Sequence, residues 1–517
     1  VPVPKKYKHL PLADRNEVFK QILRDEWKAQ QGDINEAKFD EYIKEIRSGI
    51  EEIIGCNMAD YFLCNYEIMT RGQEEYGGIL TPSGRGSGVS MYINKLLKFT
   101  KVDKVNSPVL MYAERFLTKE RILDSHTAPD IDHNVSAREP FIQAQRDIIC
   151  EEGTFDLIAL GTLHYKSAFK MYSRAYNLDP QLANAVTKQI DKYESALKYA
   201  DDEDRDLIDI FDYVDKEKYG DLIEGCQDYK GIVDNIKSHP CGTICADFDV
   251  VEEVGVIMVK SESTKRECFV AVIESGTIDA FGFLKQDYLI VDSIGLTYEI
   301  YREIGMEPMT VNQLLDTIEN DEKTWNIYKQ GLTMCVNQCE QPKSTQKVMA
   351  YAPTNISELT QFIAGIRPSF KSMYKKFENR EHFEYGIKAL DSLIQDAYCE
   401  SSFILYQEHL MKVLGFAHFP MGDTYTIIKA ISKKKEDKIK KAKEKFVPQF
   451  ARSIIETGET DSEEVALELA EKVWGIVEDS AQYGFNSAHA YCMAVDSVTL
   501  AWQKAHYPLE FYKVALQ

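Results

Sequence analysis

The stretch that most constrains the fold is Thr127-Ala128-Pro129-Asp130-Ile131-Asp132, where two carboxylates flank a single apolar residue. Pro129 favours extended geometry in the residue before it and removes one backbone donor. In a strand, residues i and i+2 face the same way, so we expect Asp130 and Asp132 to point into one cleft. Neighbouring carboxylates repel unless a cation neutralises them, and Mg²⁺ prefers oxygen ligands. The alternative is an acidic strand end or turn, so the pattern needs context.

The flanking sequence supplies that context. Upstream, the turn Gly84-Arg85-Gly86-Ser87-Gly88 precedes an apolar run that ends at Leu97. Glycine lets backbone N–H groups approach an anion closely, a helix N-terminus favours phosphate, Ser87 adds a hydroxyl, and Arg85 adds a fork of donors. A flexible loop is the alternative for this turn. Downstream, Lys285 and Asp287 are two residues apart and are expected to share a strand face.

In this order the motifs resemble the C-family replicative DNA polymerases, the alpha subunit of bacterial DNA polymerase III. That family has a Gly-Arg-Gly-Ser turn, then Glu-Arg-Phe-Leu, Pro-Asp-x-Asp and Lys-x-Asp. The resemblance covers about residues 50 to 515, and the fixed order makes the set specific. The further matches are Tyr406-Gln407-Glu408, the run 430–435, Tyr483-Gly484-Phe485-Asn486 and Ala505-His506-Tyr507-Pro508.

The resemblance implies an α+β multidomain protein. We expect a mixed-sheet, nucleotidyltransferase-like palm, a helical thumb insertion and large helical fingers. The expected palm comprises residues 1–138 and 237–304, the thumb 139–236, and the fingers 305–517. Full-length relatives also carry an N-terminal phosphoesterase-like domain and C-terminal clamp-binding and single-strand-binding domains. None is recognisable here, so we expect a minimal core or a fragment of a longer chain.

Hydrophobic periodicity predicts the secondary structure. Helices are expected near the N-terminus, from the glycine-rich turn through Leu97, throughout 139–235, and over most of 310–517. One strand is expected around Asp287, and a helix is expected to follow it to Ile304. Four other segments are also expected to form strands. These segments are 109–117, 129–135, 254–259 and 268–274.

The resemblance also implies the activity, which is template-directed addition of deoxynucleotides to a primer 3′ end. The implied catalytic and metal-binding residues are Asp130, Asp132 and Asp287, holding two Mg²⁺ ions for which Mn²⁺ can substitute. A salt bridge to these carboxylates is the alternative role for Lys285 and Arg115, and a structural ion pair is the alternative for Arg121 and Arg367. The implied donors to nucleotide phosphates are Arg85, Gly86, Ser87, Arg115, Lys285 and Lys429.

Composition argues against a bulk electrostatic nucleic-acid binder. The net charge is −22, from 61 basic and 83 acidic residues, whereas such binders usually carry a basic surface. We therefore expect DNA contacts at local clusters and low processivity without a tether. For both clusters a solvated helix face is the alternative. The clusters are Lys166, Lys170 and Arg174 in the thumb, and Lys433, Lys434 and Lys435 in the fingers.

Three departures from the family pattern bear on the site. Asn134 stands where many relatives carry a third acidic residue. In the fingers, Ile428 replaces a family arginine, and Lys429 keeps only a point charge, which weakens the expected grip on the nucleotide. The lysine that usually comes before the small residue and His489 is missing, so we expect a structural role for this histidine.

The remaining sequence features limit partners and compartment. The 11 cysteines lack the spacing of a zinc knuckle, so free thiols in a cytoplasmic protein are expected. No apolar run approaches the roughly 20 residues of a membrane span. Expected partners are primer-template DNA, deoxynucleoside triphosphates, and a sliding clamp or other replisome proteins. We expect no proofreading by this chain. The alternatives are a template-independent or RNA-making nucleotidyltransferase, and an inactive relative acting as a replisome scaffold.

Overall fold

The computed structural model describes residues 1–125, 127–199, 208–261, 265–366, 371–397 and 399–517. The chain forms two compact units. The first comprises 1–154, 245–248 and 282–517, and the second comprises 155–244 and 249–281. Both contain helices and strands, which confirms the α+β class. The predicted boundaries of palm, thumb and fingers stay predictions.

Helices at the start of the first unit enclose an apolar core. Phe19, Phe62 and Ile68 are fully buried in it, together with Tyr288 from a later strand. The expected N-terminal helices are therefore confirmed, because their apolar positions recur at helical spacing and face one core. The helices are α1 Leu12–Gln30, α2 Phe39–Gly55, α3 Ala59–Glu74, α4 Tyr92–Leu96, α5 Lys119–Ser125 and α6 Glu139–Ile148.

Two parallel strands of the first unit bring distant segments together. Strand β1 spans Asp132–Val135, and strand β6 spans Leu284–Ile290. The register places Asp132 opposite Asp287. The strand expected from residue 129 begins only at Asp132, and the Tyr61 hydroxyl donates to the Pro129 carbonyl at 2.7 Å just before it. The strand around Asp287 and the helix to Ile304 are confirmed.

Two expectations for the first unit are wrong. The helix through Leu97 is split into a 3₁₀ turn at Ser87–Ser90 and α4, because Met91 is extended between them and the Asn94 amide donates to the Gly88 carbonyl. The segment 109–117 is loop and 3₁₀ helix instead of strand. Its N–H groups at 115–117 donate to nearby carbonyls of Tyr112 and Ala113. Val109, Met111, Phe116 and Leu117 are buried in two apolar clusters, and this burial produced the strand-like pattern.

The rest of the first unit is helical, as predicted for 310–517. Two apolar clusters hold it together, one around Trp325, Phe362 and Trp502 and the other around Phe446 and Trp474. The helices are α11 Asp292–Ile304, α12 Val311–Ile318, α13 Glu322–Lys329, α14 Pro342–Tyr351, α15 Ile356–Gly365, α16 Lys371–Glu378, α17 Lys388–Ile394, α18 Gln407–Phe416, α19 Met421–Ser432, α20 Glu436–Glu456, α21 Glu463–Ser480, α22 Ser487–His506 and α23 Pro508–Ala515.

The second unit contains a mixed sheet with strand order β3-β2-β5-β4. Strand β5 pairs parallel with β2 and antiparallel with β4. The strands predicted at 254–259 and 268–274 are confirmed, whereas a wholly helical 139–235 is wrong. Its segment 155–160, apolar except for Asp156, lies between Gly153 and Gly161 and forms most of strand β2. The elements are β2 Thr154–Thr162, α7 Tyr165–Ala175, α8 Pro180–Tyr199, α9 Lys216–Gly225, β3 Val233–Cys245, α10 Val250–Glu253, β4 Val256–Lys260 and β5 Glu267–Glu274.

Two expectations drawn from composition can be compared with the structure. All 11 cysteines are free, and six of them are buried, as expected for a chain without a disulfide framework. Across the described part of the chain, no helix combines the length and the apolar character needed to cross a membrane.

Candidate active site

Strand pairing places two of the three predicted carboxylates side by side. Asp132 and Asp287 are register partners in adjacent parallel strands, which are spaced about 4.8 Å apart in sheets of this kind. Asp130 lies two residues before Asp132, in an extended segment that precedes the strand, and is exposed. Its charge acts on Asp132, as does that of Asp287. The three carboxylates therefore form one electrostatic cluster.

The environment of Asp132 disfavours the ionised form of its carboxyl group. Burial raises the pKa of Asp132, the Arg85 charge lowers it, and Asp130 and Asp287 raise it again. A raised pKa means that the ionised carboxylate is poorly compensated by its protein surroundings. A bound cation would relieve this deficit, and carboxylate oxygens are suitable ligands for a hard divalent ion.

The glycine-rich turn approaches this cluster directly. Gly86 has φ +66°, which favours glycine, and a Cβ atom built on it would lie 2.6 Å from Asp132 Oδ2. Both the backbone conformation and the lack of space therefore require glycine at this position. Its neighbour Ser87 begins the 3₁₀ turn and lines the adjacent cavity.

Lys285 and Asp287 share one face of β6, as the i, i+2 spacing predicts. Lys285 Nζ lies 2.7 Å from Asp287 Oδ2, and both side chains are less than a quarter exposed. This is the ion pair considered as the alternative role for Lys285. A carboxylate offers two oxygens with several acceptor sites, so an ion pair with Lys285 and a cation at the same carboxylate are chemically compatible.

Beside the carboxylates lies a cavity of about 470 Å³, within the usual size range of ligand pockets. Asp130 and Ser87 line it on one side. Six cationic side chains also line it, which is the charge expected for a site that binds a polyanion. These are Arg115, Arg121, Lys429, Lys433, Lys435 and Lys438.

Arg115 is held in a fixed orientation in this cavity. Its guanidinium group stacks on the Tyr425 ring at 3.7 Å, and its Nε donates to Gln407 Oε1 at 3.0 Å. The adjacent Glu408 is fully buried and accepts hydrogen bonds from the Asn486 amide and the Ser487 backbone. Burial raises the pKa of Glu408, whereas the Ser487 N–H and the Arg115 charge lower it. Among the described residues, these contacts take the place of the salt bridge to the candidate carboxylates that was considered as the alternative role of Arg115.

The lysine cluster of the first unit is a turn rather than a helix face. Lys429 lies on α19, and the three lysines at 433–435 follow that helix and come before α20. All four are exposed. Lys434 takes the left-handed conformation with φ +51°, which reverses the chain. Lys433 and Lys435 line the cavity as a result.

The second basic cluster lies in the second unit. Lys166, Lys170 and Arg174 are all on α7, so the predicted helical spacing is confirmed. Lys166 pairs with Asp191 at 2.7 Å, and the other two are exposed. Arg367, the remaining cation considered, lies outside the described residues.

Sequence reasoning considered Arg121, but it missed the two residues that orient Arg115, namely Gln407 and Tyr425. Arg121 donates to the Phe116 carbonyl, and burial lowers its pKa, followed by the charge of Arg115. Gln407 belongs to the ordered motif set, which could have indicated its role. Tyr425 has no sequence signal of its own, because only the fold brings it to Arg115.

Comparison with known proteins gives two family matches in chain order. Residues 17–290 match the bacterial DNA polymerase III alpha NTPase domain, and residues 299–453 match the bacterial DNA polymerase III alpha subunit finger domain. Together the two matches include the carboxylates and the cavity residues.

Curated relatives named DNA polymerase III subunit alpha agree with these matches. The chain is 25% identical over 473 residues to that of Chlamydia muridarum, covering 90% of this chain and 36% of the relative. For Bacillus subtilis the identity is 24% over 477 residues, covering 91% and 40%. For Thermus aquaticus it is 26% over 453 residues, covering 85% and 35%. The chain thus spans less than half the length of these relatives.

Proposed function

The chain belongs to the bacterial DNA polymerase III alpha subunit family, and on this premise we propose that it is a template-directed DNA polymerase. The reaction joins the α-phosphate of a deoxynucleoside triphosphate to a primer 3′ hydroxyl and releases pyrophosphate. In this assignment the two-strand carboxylate site belongs to the palm, the helices from residue 305 form the fingers, and the helices between residues 139 and 236 form the thumb.

One observation carries the proposal. A half-buried carboxylate pair, Asp132 and Asp287, lies in strand register, and Asp130 connects it to a cavity lined by six cations. A nucleoside triphosphate with divalent metal ions needs this combination, with anionic ligands for the metals and cationic donors for the phosphates. A purely structural acidic cluster would not account for the basic cavity beside it.

The residues present fit a pair of divalent cations. The donor set is all oxygen, and burial, followed by the charges of Asp130 and Asp287, raises the pKa of Asp132. A cation beside it would favour the ionised carboxylate. Asp130, Asp132 and Asp287 would hold Mg²⁺, or Mn²⁺ in its place. When bound, such ions neutralise phosphate charge and make the primer hydroxyl more acidic.

The chain's own side chains orient the nucleotide. Arg115, fixed by Tyr425 and Gln407, can present its terminal nitrogens to the phosphates while Nε remains occupied. Lys429 supplies point charge at the cavity wall. Arg85, Gly86 and Ser87 lie on the carboxylate side, where a hydroxyl and backbone donors can contact the same phosphates.

DNA binding is assigned to the two basic clusters and depends strongly on salt. Lys170 and Arg174 are exposed on α7, and Lys433 to Lys435 are exposed in the turn of the first unit. Because the net charge is −22, long-range attraction to DNA is weak. A sliding clamp or another replisome protein would then supply the missing hold on the primer-template.

The test is primer extension by the purified chain with Mg²⁺, using matched reactions with a template, without a template, and with ribonucleotides. Extension that follows the template and needs deoxynucleotides is expected. Tailing without a template, or preference for ribonucleotides, would instead indicate the other nucleotidyltransferase activities. Failure to extend, in a folded chain that still binds primer-template, would indicate a scaffold.

A further inference from the structure

Helix α22 contacts the glycine-rich turn through a buried polar pair. The Ser83 hydroxyl donates to Asp496 Oδ1 at 2.6 Å, although the two residues are 413 positions apart in sequence. Ser83 is fully buried, and Asp496 is 4% exposed. Farther along the turn, the Gly86 N–H points to Nδ1 of His489 at 3.5 Å. Both contacts come from one helix.

Ser83 is held on its other side as well. Its carbonyl accepts from the Lys101 N–H at 2.6 Å and from the Thr100 hydroxyl at 2.7 Å. Gly84 packs so closely on Thr100 that a Cβ there would lie 2.3 Å from its hydroxyl oxygen. The start of the turn is therefore fixed between the segment at 100–102 and helix α22.

Burial of the Asp496 carboxyl lowers stability, so a purely structural role does not explain this residue well. Its Oδ2 atom has no hydrogen-bond partner among the described residues. Burial raises its pKa to about 7, and the Ser83 hydroxyl lowers it only in part. Burying an incompletely satisfied carboxyl costs stability, which a smaller apolar residue would avoid.

We propose that Asp496 and Ser83 form an anchor that positions the turn Gly84–Ser87 against Asp132, and that both are positioning residues for nucleotide addition. The inference rests on the proposed polymerase function. A Cβ built on Gly86 would lie 2.6 Å from Asp132 Oδ2, so the turn packs closely on this carboxylate. A shift of the turn would therefore move either the carboxylate or the phosphate donors of the turn. Neither anchor residue lies in the cavity lining, so their effect is indirect.

The same helix offers a matched control. Ser497 follows Asp496, is fully buried, and shares a 2.9 Å hydrogen bond with the Tyr328 hydroxyl of α13. Ser497→Ala therefore removes a buried contact between α22 and another element without touching the turn. Asp496→Asn is the conservative variant, because its amide oxygen can still accept from Ser83.

The first readout is amide hydrogen exchange, which does not depend on activity. Ser83→Ala and Asp496→Ala should increase exchange in peptides covering 84–87, whereas Ser497→Ala should not. If Ser83→Ala leaves exchange of the turn unchanged relative to Ser497→Ala, the anchor is refuted. Ser83→Ala removes only the hydroxyl oxygen, so it disturbs the fold less than Asp496→Ala does. The test can therefore be made with Ser83→Ala even if Asp496→Ala fails to fold.

The second readout is steady-state primer extension. Ser83→Ala and Asp496→Ala should each lower kcat/KM for the nucleotide about 10-fold, within the range expected for misplacement of reactive groups. The double variant should be no worse than either single variant, since both remove one contact. Asp496→Asn should restore most of the activity, and Ser497→Ala should retain it. Multiplicative losses, or equal losses in Ser497→Ala, would overturn the positioning role. If the wild-type chain is inactive but its turn exchanges amide hydrogens more slowly than the turn of Ser83→Ala, the proposed function is refuted and the anchor is supported.

Discussion

The carboxylate side and the lysine side of the candidate active site are built in opposite ways. Asp132 and Asp287 are fixed by strand register and half-buried, and the turn at Gly86 packs closely on Asp132. Lys433 and Lys435 lie in an exposed turn between two helices. Groups that must share a metal ion need placement to within about 0.5 Å, which strands provide. Lysines act as flexible point charges and tolerate looser placement.

The difference also has an energetic side. On the carboxylate side, burial and, to a smaller extent, the charges of Asp130 and Asp287 raise the pKa of Asp132, so the ionised carboxylate is disfavoured in the folded chain. On the lysine side, exposed charges remain hydrated and cost little. We therefore expect substitutions on the carboxylate side to abolish chemistry, and substitutions on the lysine side to weaken binding.

The largest effect should come from Asp132→Ala. Loss of an outer contact at a metal site typically costs about 10- to 100-fold, so loss of a direct ligand should lower extension by more than about 100-fold. Affinity for primer-template should remain near that of the wild type. Asp292→Ala, which changes an exposed carboxylate just after β6, is the control in the same assay. Normal extension by Asp132→Ala would contradict the view that the carboxylate side carries out the chemistry and the lysine side contributes to binding.

Arg115 should show an intermediate effect, because it combines a charge with a fixed orientation. Arg115→Lys keeps the charge but loses the stacking on Tyr425 and the bond to Gln407. The KM for the nucleotide should rise about 10-fold, while kcat changes less.

The partner ring supplies the control for that measurement. Tyr425→Phe keeps the stacking surface and should behave like wild type, whereas Tyr425→Ala should resemble Arg115→Lys. Equal KM values for wild type and Arg115→Lys would show that only charge matters at this position, as on the lysine side.

Sequence reasoning succeeded where a local pattern fixes the geometry. The i, i+2 spacing of Lys285 and Asp287 predicted their shared strand face, and their side chains are paired. The ordered motifs predicted the family. The pairing of Asp132 with Asp287 depends on parallel register between segments 155 residues apart, and spacing alone does not contain this information.

The failures have equally local causes. The apolar run at 109–117 resembled a strand because it is buried, yet its N–H groups turn to nearby carbonyls. The lysine run resembled a helix face, but Lys434 adopts a left-handed conformation that ends the helix. Tyr425 reaches Arg115 only through packing of α19, which no short motif encodes.

On the lysine side, Lys433→Ala combined with Lys435→Ala should weaken primer-template binding several-fold and leave kcat nearly unchanged. Each lost phosphate contact should flatten the dependence of log affinity on log salt by about 0.9 on duplex DNA. The matched control is Lys440→Ala combined with Lys441→Ala, two exposed lysines on α20 outside the cavity lining. The measurement is a salt titration of affinity. Identical slopes for the two double variants would mean that the turn is a solvated surface like any other.

The smallest effect on activity should come from Asp496→Asn. This variant tests how much the buried Asp496 carboxyl lowers the free energy of unfolding. The pKa of Asp496 is raised from 3.8 to about 7 in the folded chain by burial. The folded state therefore holds this proton more tightly than the unfolded state. Wild type should lose stability relative to Asp496→Asn as pH rises from about 4 to about 7, by up to about 1.4 kcal/mol per pH unit.

Outside that window the two stabilities should run parallel, because the carboxyl has the same protonation in both states. Ser83 and Cys492 are the groups whose interactions with Asp496 are resolved, so no neighbouring ion pair should mask the effect. The measurement is urea unfolding at several pH values, with the exposed Asp292→Asn as control. A constant difference between wild type and Asp496→Asn from pH 4 to pH 8 would show that the carboxyl titrates normally. The carboxylate side would then carry no stability cost at its anchor, and the energetic contrast with the lysine side would rest on Asp132 alone.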